Sequence, residues 1–375
     1  MSADRAAAAR AWVAHLREGG TTPWLAWTAG EDRGQATPGP LPGAQQLELL
    51  RRVNLRVLAS TAAPAQRRTL ADRVLAAPAA GRGKADLPLV GVSASDFGPR
   101  PVDPATVGAH ELLRVASVLL ADDLVALGPD PVPTAWPRPW RRRYRLVGDP
   151  VLATGLREHL RAHGRPEGGR RPVLVALAAP LDELLARTWT QRCFETGTRP
   201  WPEWLRFWRE RDQLPARADL AASVRRWHAR RPFVRIVTDP DRLPRQLGVR
   251  HLPQVRVPGA DQAELARRVA AVVGIRVPAA ERPALMRTLQ RRIPGSGAAP
   301  VGVPDAEQAW VAASAARTTR ELTRAGYPVV GDLADLAPAR AGATRGVADD
   351  ERVLDLAIRM LVDPSWRHTD RQVER

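Results

Sequence analysis

Apolar residues recur at helical spacing through the first third of the chain, give way to short continuous runs in the middle, and return to helical spacing near the end. Residues 4–18 predict a helix, with Trp12 and Leu16 near one face. Residues 19–27 read as a helix stop and turn, and 29–43 as a Gly- and Pro-rich loop. Amphipathic helices are expected over 44–59, 69–77 and 110–128, separated by the Gly- and Pro-rich 78–108. The Pro-rich 129–140 then marks a boundary.

Beyond it the period changes. Strands are expected at 144–148, 173–177 and 232–238, with a further candidate at 254–258. Val173 to Leu177 is the clearest, an unbroken apolar run suited to a strand covered on both faces. Helices are expected between the strands at 149–164, from 180, from 201 and over 217–229. Asp149 serves as cap, Pro150 as first residue and Gly164 as stop of the first of these. Pro180 is placed to open the next, with Asp182 and Glu183 favoured by the dipole in its first turn. Helices follow at 263–274, 281–292, 304–326 and 349–361. This alternation predicts an α/β fold, a parallel sheet flanked by helices, with an N-terminal helical region. The expected divisions are a helical part at 1–130, a linker at 131–140, an α/β domain at 141–340 and a C-terminal piece at 341–375.

Composition narrows the class. With 44% apolar and 26% charged residues, the chain reads as soluble and globular. No apolar run of ~18 residues predicts a membrane span. The N-terminus lacks the charged-then-apolar pattern of a signal peptide, so cytoplasmic residence is the default. Cys193 is the single cysteine, which excludes an internal disulfide and a multi-cysteine zinc site. The formal charge of +17 raises nucleic acid as a partner. Against that, Lys84 is the only lysine and the arginines are spread along the chain, as compositional bias would give.

Several stretches carry candidate chemistry. Trp201, Trp204, Phe207 and Trp208 fall on one helical face, suited either to packing or to lining a cleft. His159 and His163 have the spacing of a helical metal pair, but no zincin glutamate lies between them and no third ligand is evident. His251 is a general-base candidate in a polar loop, and Cys193 reads as a small buried hydrophobe. Residues 81–86 hold Lys84 without a phosphate-loop pattern.

From about 144 to 338 the chain resembles the actinobacterial-type branch of the PAPS-dependent sulfotransferase family. The resemblance rests on VLVALAAPLDELLARTWTQR, on RPWPEWL, on the helix and strand of LPARADLAASVRRWHARRPFVRIVTDP, and on the closing AWVAASAARTTRELTRAGYPVVGDLADLAP. It implies a nucleoside-kinase type of sheet and transfer of a sulfonate from PAPS to a hydroxyl or amine. It also implies a lysine loop for the 5′-phosphosulfate, an Arg and a Ser for the 3′-phosphate, and a base for the acceptor. This chain departs at each donor position. Its loop is Gly148-Asp149-Pro150, the Arg position falls at Ala178 or Ala179, and the Ser position falls at Ala186. The best remaining anion donors are the backbone at Gly148 with Arg143, Arg145 and Arg187. Residues 42–54 resemble a helix start found late in the same family, which a second copy of the end-piece, a rearranged order or convergence would explain.

Three functions follow as expectations. One is a sulfotransferase-like protein without standard PAPS-dependent catalysis, acting through a protein partner. Another is a transferase with a rebuilt donor site acting on a cell-surface glycan. The third is an Arg-rich polyanion binder, whose affinity would fall steeply with salt.

Overall fold

The structure, a computed structural model, describes residues 2–30, 41–58, 64–81, 86–92, 98–137, 142–168, 172–228, 233–338 and 346–368. The first third contains α1 (Ser2–Arg17), α2 (Trp24–Ala29), α3 (Ala44–Leu58), α4 (Pro64–Ala76) and α5 (Ala109–Leu127). Then come β1 (Tyr144–Gly148), α6 (Pro150–Ala162), β2 (Val173–Leu177), α7 (Leu181–Cys193), α8 (Trp201–Arg209), α9 (Leu220–His228), β3 (Val234–Val237) and α10 (Leu243–Leu247). The last third holds α11 (Ala260–Arg276), α12 (Arg282–Arg292), α13 (Asp305–Ala325), β4 (Val329–Val330) and α14 (Asp350–Val362). Among the described residues no helix is long and apolar enough to cross a membrane.

The chain forms two compact units. One comprises Met1–Pro129, Glu264–Ser296 and Ala348–Arg375; the other comprises Asp130–Ala263 and Gly297–Val347. The expected α/β span 141–340 is thus interrupted by 264–296, which groups with the helices of the first third, as does α14.

The second unit is α/β, with a parallel four-stranded sheet in the order β1-β2-β3-β4 among the described residues. Leu146 lies beside Val175, Leu174 beside Val234 and Ile236 beside Val329. Leu146, Val175, Leu177 and Val237 face Leu156 and Leu160 of α6 and Leu243 and Leu247 of α10. Leu174, Ala176, Val234 and Ile236 face Leu220 and Val224 of α9 and Leu322 of α13. Both faces of β2 are covered, which is why it reads as an unbroken apolar run. The steps β1→β2 and β2→β3 move the same way across the sheet, yet α6 and α9 lie on opposite faces. The usual right-handed crossover would put both helices on one face, so one of the two steps has the rarer hand. The carboxyl ends of β1 and β2 lead directly into the loops that open α6 and α7.

Two expectations are corrected. Residues 254–258 are not a strand. Gln254 and Arg256 are exposed while Val255 and Val257 are half-buried, and Val255 lies against Gly155 of α6. That alternation reports burial on one side, without ladder pairing. The fourth strand is Val329–Val330, within the closing segment. Residues 24–29, expected as turn and loop, form α2, whose Trp24 is buried.

The chain contains a repeat. Residues 42–53 and 258–269 are identical at nine of twelve positions, and 64–74 and 283–293 at six of eleven. The hydrogen bonds repeat as well. Ala44 N donates to Leu87 O at 2.8 Å, and Ala260 N to Ala299 O at 2.9 Å. Val102 N donates to Pro88 O at 2.9 Å, and Gly346 N to Pro300 O at 2.8 Å. Each copy closes with an isolated parallel bridge, Leu89–Val102 or Val301–Gly346, before its third helix. One copy is therefore α3, α4 and α5; the other is α11, α12 and α14, with α13 and β4 inserted before its last helix. In each, a buried glutamate binds two arginines of its own helix. Glu48 accepts from Arg51 at 2.8 Å and from Arg52 at 3.0 Å, and Glu264 accepts from Arg267 at 2.7 Å and from Arg268 at 2.9 Å. The third helices, α5 and α14, pack on each other.

Candidate functional site

Gly148, Asp149 and Arg187 meet beyond the carboxyl ends of β1 and β2, where Ala178 and Ala179 follow β2 in the chain. Gly148 has φ +91, and a Cβ there would lie 2.1 Å from Leu177 O. The left-handed glycine lets the loop press onto the end of β2, where Asp149 N donates to Leu177 O at 2.9 Å. Asp149 then caps α6, its Oδ1 accepting from Val151 N at 3.0 Å and Leu152 N at 3.1 Å. Its other oxygen accepts from Arg187 Nη1 at 2.5 Å. Arg187 also donates to Glu183, one turn back on α7, at 2.5 Å.

A helix N-terminus and an arginine are the parts of an anion site. Here both are engaged by the chain's own carboxylate. Asp149 is 1% exposed, and Ala178 and Ala179 are buried as well.

The structure brings Gly148 and Arg187 together and keeps the other two candidates apart from them. Arg143 precedes β1 at its amino end, about 16 Å of strand away from Gly148. Arg145 points to the opposite side of the sheet from Leu146, under α9, with its guanidinium 4.2 Å from the centre of the Trp227 ring. Arg165, which the sequence does not mark, is 5% exposed near Arg143. It donates to the carbonyls of Arg142, Leu247 and Gly248 and ties the amino end of the sheet together. Arg141 and Lys84 lie outside the described residues.

The aromatic stripe of α8 is divided: Phe207 and Trp208 are half-buried, whereas its first two members pack inward. Trp201 and Trp204 are buried, with Trp201 between Trp189 at 5.5 Å and Trp204 at 5.6 Å. Trp201 Nε1 donates to Gly302 O at 2.8 Å. His251 comes within 6.5 Å of the His159 ring, and His163 within 4.3 Å. Burial lowers the pKa of His159, and His163, His251 and Arg165 push it further down. Among the described residues no group of three or more His, Cys, Asp or Glu side chains is arranged to hold a metal ion. Cys193 is buried at the end of α7.

No known protein family, curated protein or solved structure matches the chain.

Proposed function

We propose that this protein acts by binding, through a sulfotransferase-like α/β unit that does not carry out standard PAPS-dependent sulfonate transfer. The observation supporting this is the Asp149–Arg187 pair beyond the ends of β1 and β2. A donor phosphosulfate would have to displace a carboxylate that already holds two backbone N–H groups and a guanidinium. Giving up a charge-assisted bond of this kind costs about 1.5–3 kcal/mol, or roughly 10- to 10²-fold in affinity. Mutual repulsion between Asp149 and the incoming anion adds to the penalty.

The test is thermal unfolding of the full chain with and without adenosine 3′,5′-bisphosphate. A ligand at a hundred times its dissociation constant stabilises by about 2.7 kcal/mol, which a melting curve resolves. The expected result is no shift at millimolar ligand. An upward shift that disappears in R187Q overturns the proposal, as does sulfonate transfer from PAPS by the purified protein.

A further inference from the structure

The two copies of the helical repeat differ on one flank of their second helix. In the second copy the positions matching Gln66 and Arg67 carry Leu285 and Met286, both buried, and α12 packs directly on α5. In the first copy Gln66 is exposed and Arg67 half-buried. There, α4 and α14 are separated by a cavity of about 300 Å³. One architecture thus appears twice, filled with its own apolar side chains in one copy and open in the other.

The open copy has walls of two kinds. Val57, Leu70, Leu361 and Val362 supply apolar surface. Arg73 and Arg367 line the same space, and both bind Asp123 of α5, at 2.5 Å and 2.6 Å. One buried carboxylate therefore serves two guanidiniums, which leaves this cluster net positive. Burial also lowers the pKa of Arg367; Asp123 draws it back and Arg73 pushes it further down. A second anion would relieve that repulsion.

We propose that this cavity binds a small organic acid with an apolar body, its carboxylate on Arg73 and Arg367 and its hydrocarbon against Val57, Leu70, Leu361 and Val362. The second copy shows that the corresponding flank accepts aliphatic side chains. The arginines select for a charged head, since guanidinium geometry suits two carboxylate oxygens. The volume is at the small end for ligand sites. This proposal is independent of the reading of the α/β unit.

Octanoate is the probe, titrated into the full chain by calorimetry, with octanol as the uncharged control. One saturable site is expected for octanoate, with octanol at least tenfold weaker. The double variant Q66L/R67M gives α4 the side chains of α12 and should weaken octanoate at least tenfold without lowering the thermal midpoint. R367Q should weaken it as well. No octanoate binding at millimolar concentration, equal binding of octanol, or undiminished binding by Q66L/R67M would each overturn the proposal.

Discussion

Arg52 on α3 donates to Glu351 on α14 at 2.6 Å, and the matching residue of the other copy, Arg268, meets the match of Glu351, His110 on α5, at 3.3 Å. Each copy reaches to the start of the other's third helix, the reciprocal pattern of a two-fold interface written into one chain. The Arg52–Glu351 pair is partly exposed and contributes little, and Arg268 also binds Asp350 of its own copy at 2.7 Å. The weight lies one step inward, on the glutamates that orient the arginines. Removing the charge of Glu48 or Glu264 weakens bonds to two guanidiniums at once. E48Q and E264Q should each destabilise the protein by about 1.5–3 kcal/mol, and by similar amounts. Urea unfolding would measure both, and a neutral E264Q beside a damaging E48Q would contradict their equivalence.

The Asp149–Arg187 pair makes a second prediction. R187Q leaves a carboxylate that is 1% exposed without its cation. It should cost about 1.5–3 kcal/mol. D149N keeps an oxygen to cap α6 and should cost less, whereas D149A also loses the cap, worth about 0.5–2 kcal/mol. The order of unfolding midpoints in urea checks this. A D149N protein less stable than R187Q would show that Asp149 has other work beyond the strand ends.

Trp201 is flanked by two indoles and anchored to Gly302. W201A opens a cavity in the aromatic cluster and should cost about 3–5 kcal/mol. W201F keeps one aromatic ring but loses part of the indole volume together with the hydrogen bond, for a smaller loss of about 1–3 kcal/mol. Fluorescence-detected denaturation separates the two. Equal, small losses would mean that the stripe bears on something other than packing.

Stability should fall on the acid side. Burial lowers the pKa of His15, which stacks on Trp27, and of His159. Both groups take up protons more readily in the unfolded chain, whose pKa is near 6.5. The unfolded state therefore binds more protons as pH falls below that value, and stability declines with it. The contribution is fully present above about pH 6.5. Thermal midpoints from pH 7.5 to 5.5 should fall, and H159Q should flatten part of the slope. Midpoints that rise toward pH 5.5 would contradict this sign.

Much of the fold was legible because each element carries its own signal. The buried run of β2, the Asp149-Pro150 start of α6 and the long helical stripe of α5 all stand where the pattern put them. What failed was pairing. Val329–Val330 is too short to show a period, and Val255 and Val257 alternate because α6 lies on one side of them. The candidate site was half legible: Gly148, Asp149 and Arg187 stood out, but their union depends on how α7 leaves β2. Arg73, Asp123 and Arg367 carried no local mark, since three distant parts of the chain bring them together. The repeat was readable, with Pro-Gly-Ala opening both copies. Periodicity cannot see a helix pair that recurs once; only comparing the chain with itself reveals it.

The split second copy bears on how the protein is made. Its last helix, α14, emerges after roughly 220 residues of further synthesis beyond α5, about 10–45 s at ordinary translation rates. Throughout that interval the apolar face of α5 awaits a partner still to be translated. A helix face left open for that long is exposed to non-native contacts until α14 arrives.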